Sequence, residues 1–407
     1  MRKVIFWCHL VAGVFAGVVV LIMSVTGVLL TYEKQMLAQA DARTYKIAPT
    51  SPVTRLPIAT LVARAREAKP AAVPTNITFR PAPTAAAAVA FGREGSVFVN
   101  PYTGEVLGEG AKGMRDFFRV VTDWHRWLGA GGERRSIARG VTGACNLAFL
   151  FLVTSGIYLW MPRKWTRKQV RSVAWFKRGL SGKARDFNWH NVIGLWTVVP
   201  LFVVVLAAVP ISYTWASNLV YSIVGEEPPQ PRGPQTPAPG GPPQQRGAVD
   251  RGAPTVSLDG LDQLLARAEQ QMPDWQSISM QLPAAAGAPV SFTIDAGSGG
   301  QPHKRAQLTL DGKSGEVVRW EPFSSFSRGR QLRSFLRFAH TGEVAGLVGQ
   351  TVAGLASLGA AVLVWTGLAL TWRRFRAWRV RGTVASPAAS WEARREVKNN
   401  EHQEVMN

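Results

Sequence analysis

The chain has 407 residues, a formal net charge of +21 and 46% hydrophobic content, with its apolar residues gathered into long runs. That clustering argues against a string of soluble domains, and the basic residues crowd beside the runs without forming a reading helix, so nucleic acid is not an expected partner. Its two cysteines, Cys8 and Cys145, fall at the inner end of one run and inside another, which excludes a disulfide framework.

Taken in order, residues 1–32 hold Arg2, Lys3 and an apolar run over 4–30, longer than the ~20 residues that cross a bilayer. Ala38-Gln39-Ala40 resembles a cleavage site, but the run far exceeds the ~7–15 residues of a secretory signal and reads as an uncleaved anchor that retains His9. Residues 33–112 form a small α+β module, with a helix over 58–68 and strands over 76–80 and 95–107. Over 113–136 the 3.6-residue period gathers Phe117, Val121, Trp124 and Leu128 on one face of a helix lying along a membrane surface, followed by a polar break. A second span occupies 137–162, its apolar run over 137–161 ending at Trp160-Met161-Pro162-Arg163-Lys164. The loop 163–188 follows, with nine Lys or Arg between Arg163 and Arg185.

A third span lies within 189–216, its apolar run over 192–215. Residues 217–327 hold a Pro-, Gln- and Gly-rich linker (225–254), which cannot bury a core, and then a second α+β module. Its helix covers 258–271 and its strands 275–282, 290–295 and 306–320. A second surface helix (328–343) carries Phe335, Phe338 and His340; the fourth span (344–372) and a tail (373–407) beginning Arg373-Arg374-Phe375-Arg376 complete the chain. The predicted fold is an α-helical integral membrane protein with four transmembrane helices and two α+β modules inserted after helices 1 and 3. Arg2 and Lys3, the loop and the tail are the positive segments, so both termini are expected in the cytoplasm and both modules outside, in the periplasm of a bacterial inner membrane.

The chain reads as a duplication. The modules share matching turns, Thr103-Gly104-Glu105-Val106 and Ser314-Gly315-Glu316-Val317. Thr26-Gly27, Ser155-Gly156 and Thr366-Gly367 fall late in spans one, two and four, where small residues permit close packing or the approach of a flat ligand; span three has Val209-Pro210 instead. Of six histidines, His303 and His402 lie in polar segments and are expected to be solvated. His9 and His190 fall at the cytoplasmic boundary, His125 and His340 at the outer one. One such imidazole alone would be an interfacial residue, but four at equivalent positions of a repeated unit point to metal ligation.

No Cys-x-x-Cys or His-x-x-x-His spacing supports a closed zinc site. Two imidazoles from two helices in apolar surroundings suit haem iron, and without Cys-x-x-Cys-His the haem would be b-type. The expected pairs are His9 with His190 and His125 with His340, holding two haems b. The outer side is unexpectedly basic: Arg115, Arg119, Arg126, Arg134, Arg135 and Arg139 surround the first surface helix, and Arg328, Arg330, Arg333 and Arg337 accompany the second. These cations, Arg126 and Arg337 foremost, fit haem propionates, an anionic or oxygen-rich substrate, or anionic lipid headgroups.

The paired turns, Trp124-His125-Arg126-Trp127-Leu128-Gly129, Trp189-His190, His340-Thr341-Gly342-Glu343 and the Thr-Gly and Ser-Gly span endings resemble the PepSY-associated transmembrane family, often called iron-regulated membrane proteins, over nearly the full chain. Within it the chain looks similar to inner-membrane ferric-siderophore reductases with two b-type haems. The resemblance implies transmembrane electron transfer to a ferric siderophore, with electrons from a quinol or a cytoplasmic reductase and no catalytic group beyond the haem ligands. Other readings are haem-dependent reduction of another acceptor, such as a copper chelate or a protein, and a non-catalytic protein whose modules bind peptides, inhibit a protease or sense a ligand.

Overall fold

A computed structural model describes residues 1–45, 47, 54–162, 165–229, 258 and 260–383. The predicted Pro-rich linker lies mostly outside the described residues, as do Arg163, Lys164, His402 and the tail beyond 383.

The chain forms α1 (Arg2–Leu30), α2 (Glu33–Thr44), α3 (Ile58–Ala68), β1 (Asn76–Phe79), β2 (Ala87–Ala90), β3 (Ser96–Val99), β4 (Val106–Gly108), α4 (Lys112–Trp127) and α5 (Arg134–Trp160). It continues with α6 (Arg167–Ala174), α7 (Gly182–Ser212), α8 (Thr214–Ile223), α9 (Leu261–Gln271), β5 (Ser277–Gln281), β6 (Val290–Asp295), β7 (Arg305–Leu310), β8 (Val317–Pro322), α10 (Arg328–His340) and α11 (Gly346–Thr383). Helices α1, α5, α7 and α11 are long and apolar enough to cross a membrane. Two of them outrun their apolar runs. Helix α7 starts at Gly182, ten residues before Val192, and stops at Ser212, so Trp215 belongs to α8; α11 runs past Trp372 to Thr383. Polar residues continue a helix beyond the hydrocarbon as readily as apolar ones, so hydropathy marks the buried length and not the helix ends.

Each spanning helix packs on two neighbours: α1 on α5 and α11, α7 on the same two, so that α1 and α7 stand diagonally across the bundle. Small residues let the helices close up. Ala353, Ala356 and Ala360, at i, i+3 and i+7 on α11, are buried, and Ala356 and Ala360 pack with Val153 of α5 and Leu201 of α7. Large apolar side chains such as Phe15 (83% exposed) instead face outward, where lipid would cover them. Ala356→Leu adds volume where no space exists and is expected to cost about 1–3 kcal/mol, read as a lower unfolding temperature in detergent.

The two α+β modules do not stay separate. Strand β1 pairs antiparallel with β5, Ile77 opposite Met280 and Thr78 opposite Ser279, to make one eight-stranded sheet of order β4-β3-β2-β1-β5-β6-β7-β8. A short four-stranded unit leaves an unpaired strand edge, and joining the two units at their first strands removes it from both. One face of the sheet is apolar and covered by α3 and α9, through Leu61, Val62, Ala65, Leu264, Leu265 and Ala268.

Two clamps on α2 tie it to the sheet and to the start of α4. Lys34 Nζ pairs with Glu343 (2.6 Å) and donates to the Gly299 carbonyl (3.1 Å). Asp41 of α2 pairs with Arg115 and accepts from the Ala111 backbone N–H (3.0 Å), which pins the start of α4.

Candidate functional site at the two ends of the bundle

Helix α4 carries two apolar stripes, and only one faces outward. Phe118 and Val121 are buried against the protein with His125 on the same face at i+7, whereas Phe117, Val120 and Trp124 are exposed. The predicted face of Phe117, Val121, Trp124 and Leu128 is thus divided between the protein and the surface. The helix ends where Leu128 turns left-handed (φ 52°) and Gly129 follows at φ 74°, stopping the chain just past the histidine. Helix α10 ends on His340 itself; Gly342 (φ 73°) then turns back against Gly349, so close that a Cβ at either residue would meet the other's backbone.

All four candidate histidines are tied at Nδ1. His9 bonds Ser155 Oγ (2.8 Å), His190 bonds Thr366 Oγ1 (2.9 Å), His125 bonds Thr26 Oγ1 (2.9 Å) and His340 bonds the Val204 carbonyl (2.9 Å). The direction of each bond follows from its partner. The Ser155, Thr366 and Thr26 hydroxyls donate to their own helices, at Phe151 O (2.6 Å), Val362 O (2.8 Å) and Ile22 O (2.6 Å), so toward the imidazoles they can only accept. A carbonyl only accepts in any case. Each ring therefore carries its proton on Nδ1 and keeps the Nε2 lone pair, the tautomer that binds a metal. Among the described residues no protein group hydrogen-bonds any of these four Nε2 atoms.

The glycine after each hydroxyl lies against the ring. A Cβ on Gly27 would lie 3.6 Å from His125 Cε1, one on Gly156 3.6 Å from His9 Cε1 and one on Gly367 3.4 Å from His190 Cε1. The Thr-Gly and Ser-Gly pairs are thus histidine seats, a hydroxyl for Nδ1 beside a bare backbone for the ring. Span three lacks the motif, and there the Val204 backbone carbonyl of α7 serves His340. Gly367→Ala should be tolerated, because 3.4 Å is ordinary contact, whereas the extra methyl groups of Gly367→Val would push His190 aside. The unfolding temperature of the purified variants in detergent distinguishes the two.

The seats lie at opposite ends. His9, Ser155, His190 and Thr366 sit at the end that also holds Arg2, Arg373 and Arg374; Thr26, His125, Val204 and His340 sit at the end that meets the sheet. Thr26 lies seventeen residue steps along α1 from His9, ~26 Å of helix rise. The ring centroids of His125 and His340 are 6.2 Å apart. A metal held between two imidazoles by bonds of ~2.0–2.1 Å needs ring centres roughly 6 Å apart, so this pair fits a single ion. His9 and His190 stand on the diagonal helices α1 and α7 at one end, without direct ring contact. Among the described residues no three His, Cys, Asp or Glu gather as a metal cluster, so a metal here would take its remaining donors from its own ligand, as iron does from a porphyrin.

Charge at the sheet end favours neutral imidazoles and an anion nearby. Burial, and secondarily the neighbouring His340, push His125 down to about 4, and burial lowers His340 as well, so both stay in the ligating form at neutral pH. The Arg126 guanidinium is lowered by burial and by Arg337, Arg139 and Arg135. Arg126 and Arg135 stack on Trp127, each 4.5 Å from the ring centre, and neither Arg126 nor Arg337 has a carboxylate partner among the described residues. The sequence marks the small residues of the Thr-Gly and Ser-Gly pairs for packing or ligand approach; the hydrogen bonds of their hydroxyls, and that of Val204, appear only in the folded chain. The recurrence of a hydroxyl before each of those glycines was the available signal.

A comparison with curated proteins finds no match. The model of one family, the PepSY-associated TM region, matches residues 6–386, and the chain belongs to that family.

Proposed function

We propose that the protein is a transmembrane electron-transfer protein that holds two haems b and reduces a ferric chelate, of the siderophore class, at the sheet end. The observation that carries this reading is the set of four imidazoles, two at each end of an apolar bundle, all held with Nε2 as the free lone pair. His9 and His190 would ligate one haem, His125 and His340 the other. Arg126 would pair with a propionate on the sheet side.

Haem bound there supplies a one-electron Fe3+/Fe2+ couple whose potential the protein tunes through axial ligands, hydrogen bonds and burial. The chain's own work is to fix each imidazole's tautomer, aim its Nε2 lone pair and exclude water with the surrounding spans. In the net reaction, one electron from a quinol or a cytoplasmic reductase converts the chelated Fe3+ to Fe2+, which hard oxygen ligands hold far less tightly and release. Arg2, Lys3 and the basic residues after α5 and α11 orient their end toward the cytoplasm of a bacterial inner membrane, leaving both termini inside and the sheet in the periplasm.

Haem content per polypeptide and an absorption spectrum of the purified protein test this directly. Reducible bands of six-coordinate low-spin haem at two per chain support it. A colourless preparation from haem-sufficient cells would leave a membrane-anchored binding protein instead.

A further inference from the structure

Between the sheet and the bundle lies a cavity of about 300 Å³ whose lining includes Arg305 of β7, Arg330, Arg333 and Arg337 of α10, and the rings of Phe326 and Phe338. Among the described residues no Asp or Glu lines it. Three of the arginines form one stripe of α10, at i, i+3 and i+7, and the fourth faces them from the sheet. Two are balanced from behind: Asp295 pairs with Arg305 (3.2 Å) and Glu321 with Arg330 (3.5 Å). The other two are not. Arg333 Nε donates to Ser217 Oγ (2.7 Å), which holds the side chain in place without neutralising it, and Arg337 lies over Phe338.

Guanidinium forks matched by no carboxylate among the described residues, in a recess with aromatic walls, are suited to planar oxyanions. We infer that this cavity is a binding site for a small oxygen-rich anion bearing carboxylates, such as a polycarboxylate chelate of a trivalent metal, with Arg333 and Arg337 as its charge-recognising residues.

Two unbalanced guanidiniums select a ligand carrying about two negative charges over a neutral one of equal size. Thr293 and Gln307 of the sheet form part of the wall, so the cavity is roofed by the sheet and does not open only toward lipid headgroups. Arg337 and Phe338 also place it beside His340, on the same helix. That a ligand held here accepts an electron rests on the function proposed above; its binding does not.

The test is calorimetric titration of gallium(III) citrate, a redox-inert stand-in for the ferric chelate, into the full chain in phosphatidylcholine nanodiscs. A neutral gallium trihydroxamate of similar size is the comparator. Arg333→Gln is the first variant because it leaves Arg337, the haem-side guanidinium, in place. The expected result is citrate binding that weakens about tenfold or more in Arg333→Gln, less in Arg333→Lys, which keeps the charge but not the fork, and exceeds hydroxamate binding in the wild type. Gln307→Glu, which brings a negative charge into the wall without touching any arginine, should weaken binding too and serves if Arg333→Gln fails to fold.

Equal binding by wild type and both weakening variants, or hydroxamate bound as tightly as citrate, would overturn the inference. So would loss of citrate binding when phosphatidylglycerol replaces part of the phosphatidylcholine, since lipid headgroups would then be the occupant. Because gallium takes no electron, a haem-free preparation that still binds citrate removes the reductase and leaves this site standing.

Discussion

His125→Ala or His340→Ala is expected to remove one haem and leave the other, halving the haem content per polypeptide and deleting one wave from a redox titration. The two imidazoles at the sheet end stand 6.2 Å apart and belong to α4 and α10, neither of which is a span, so either can be cut back without opening the bundle. The remaining imidazole would offer one axial ligand where low-spin haem needs two. His9→Ala and His190→Ala should do the same at the other end, about 26 Å away along α1, and leave the sheet-end haem intact. The four variants should therefore fall into two spectroscopic classes of two. Loss of both haems from every one of them, in protein that remains folded, would sink the pairing.

Thr26→Val, Ser155→Ala and Thr366→Val should each weaken haem retention about 10–100-fold, and each only at its own end of the bundle. These substitutions leave the imidazole in place and remove only the acceptor for its Nδ1–H. A buried N–H then lacks its partner, at a cost of about 1–3 kcal/mol, and the ring is free to turn or to move its proton to Nε2, where it blocks ligation. Thr26→Ser and Thr366→Ser keep the hydroxyl and should restore retention, a rescue that a purely packing role for these residues does not predict. The reduction potential of the affected haem should also shift, because the hydrogen bond at Nδ1 sets the electron density that the ligand offers. His340 is the exception in the set. Its partner is the Val204 carbonyl, which no side-chain replacement removes, so the sheet-end haem should lose only part of its anchoring in Thr26→Val. Unchanged retention and potential across all three variants would show the hydroxyls to be incidental.

Much of this was readable along the chain. The four spans follow from unbroken apolar runs, since a bilayer imposes its thickness on the sequence residue by residue. The two sheet units follow from alternation and turn chemistry in stretches such as 95–107 and 306–320. The four histidines tied at Nδ1 stand apart from His303 in the sequence by their place beside a span. Less legible were features that depend on what lies opposite. Nothing in the sequence around Ile77 or Met280 says that these two strands, some two hundred residues apart, meet edge to edge. Nor does α4's pattern reveal that Phe118 and Val121 turn inward while Phe117 and Trp124 stay exposed, because both stripes are apolar.

By itself, then, the sequence determined the membrane class, the duplicated plan and which histidines stand at span ends, all of which are set by local composition and period. Only the tertiary structure decided that the two modules fuse into one sheet, that each Thr-Gly or Ser-Gly pair seats a histidine from another helix, and that a backbone carbonyl substitutes where the motif is missing. The physical reason is that a hydroxyl, a bare Cα and a carbonyl are common groups with no signature of their own. Their meaning comes from the distance at which folding sets them from an imidazole elsewhere in the chain.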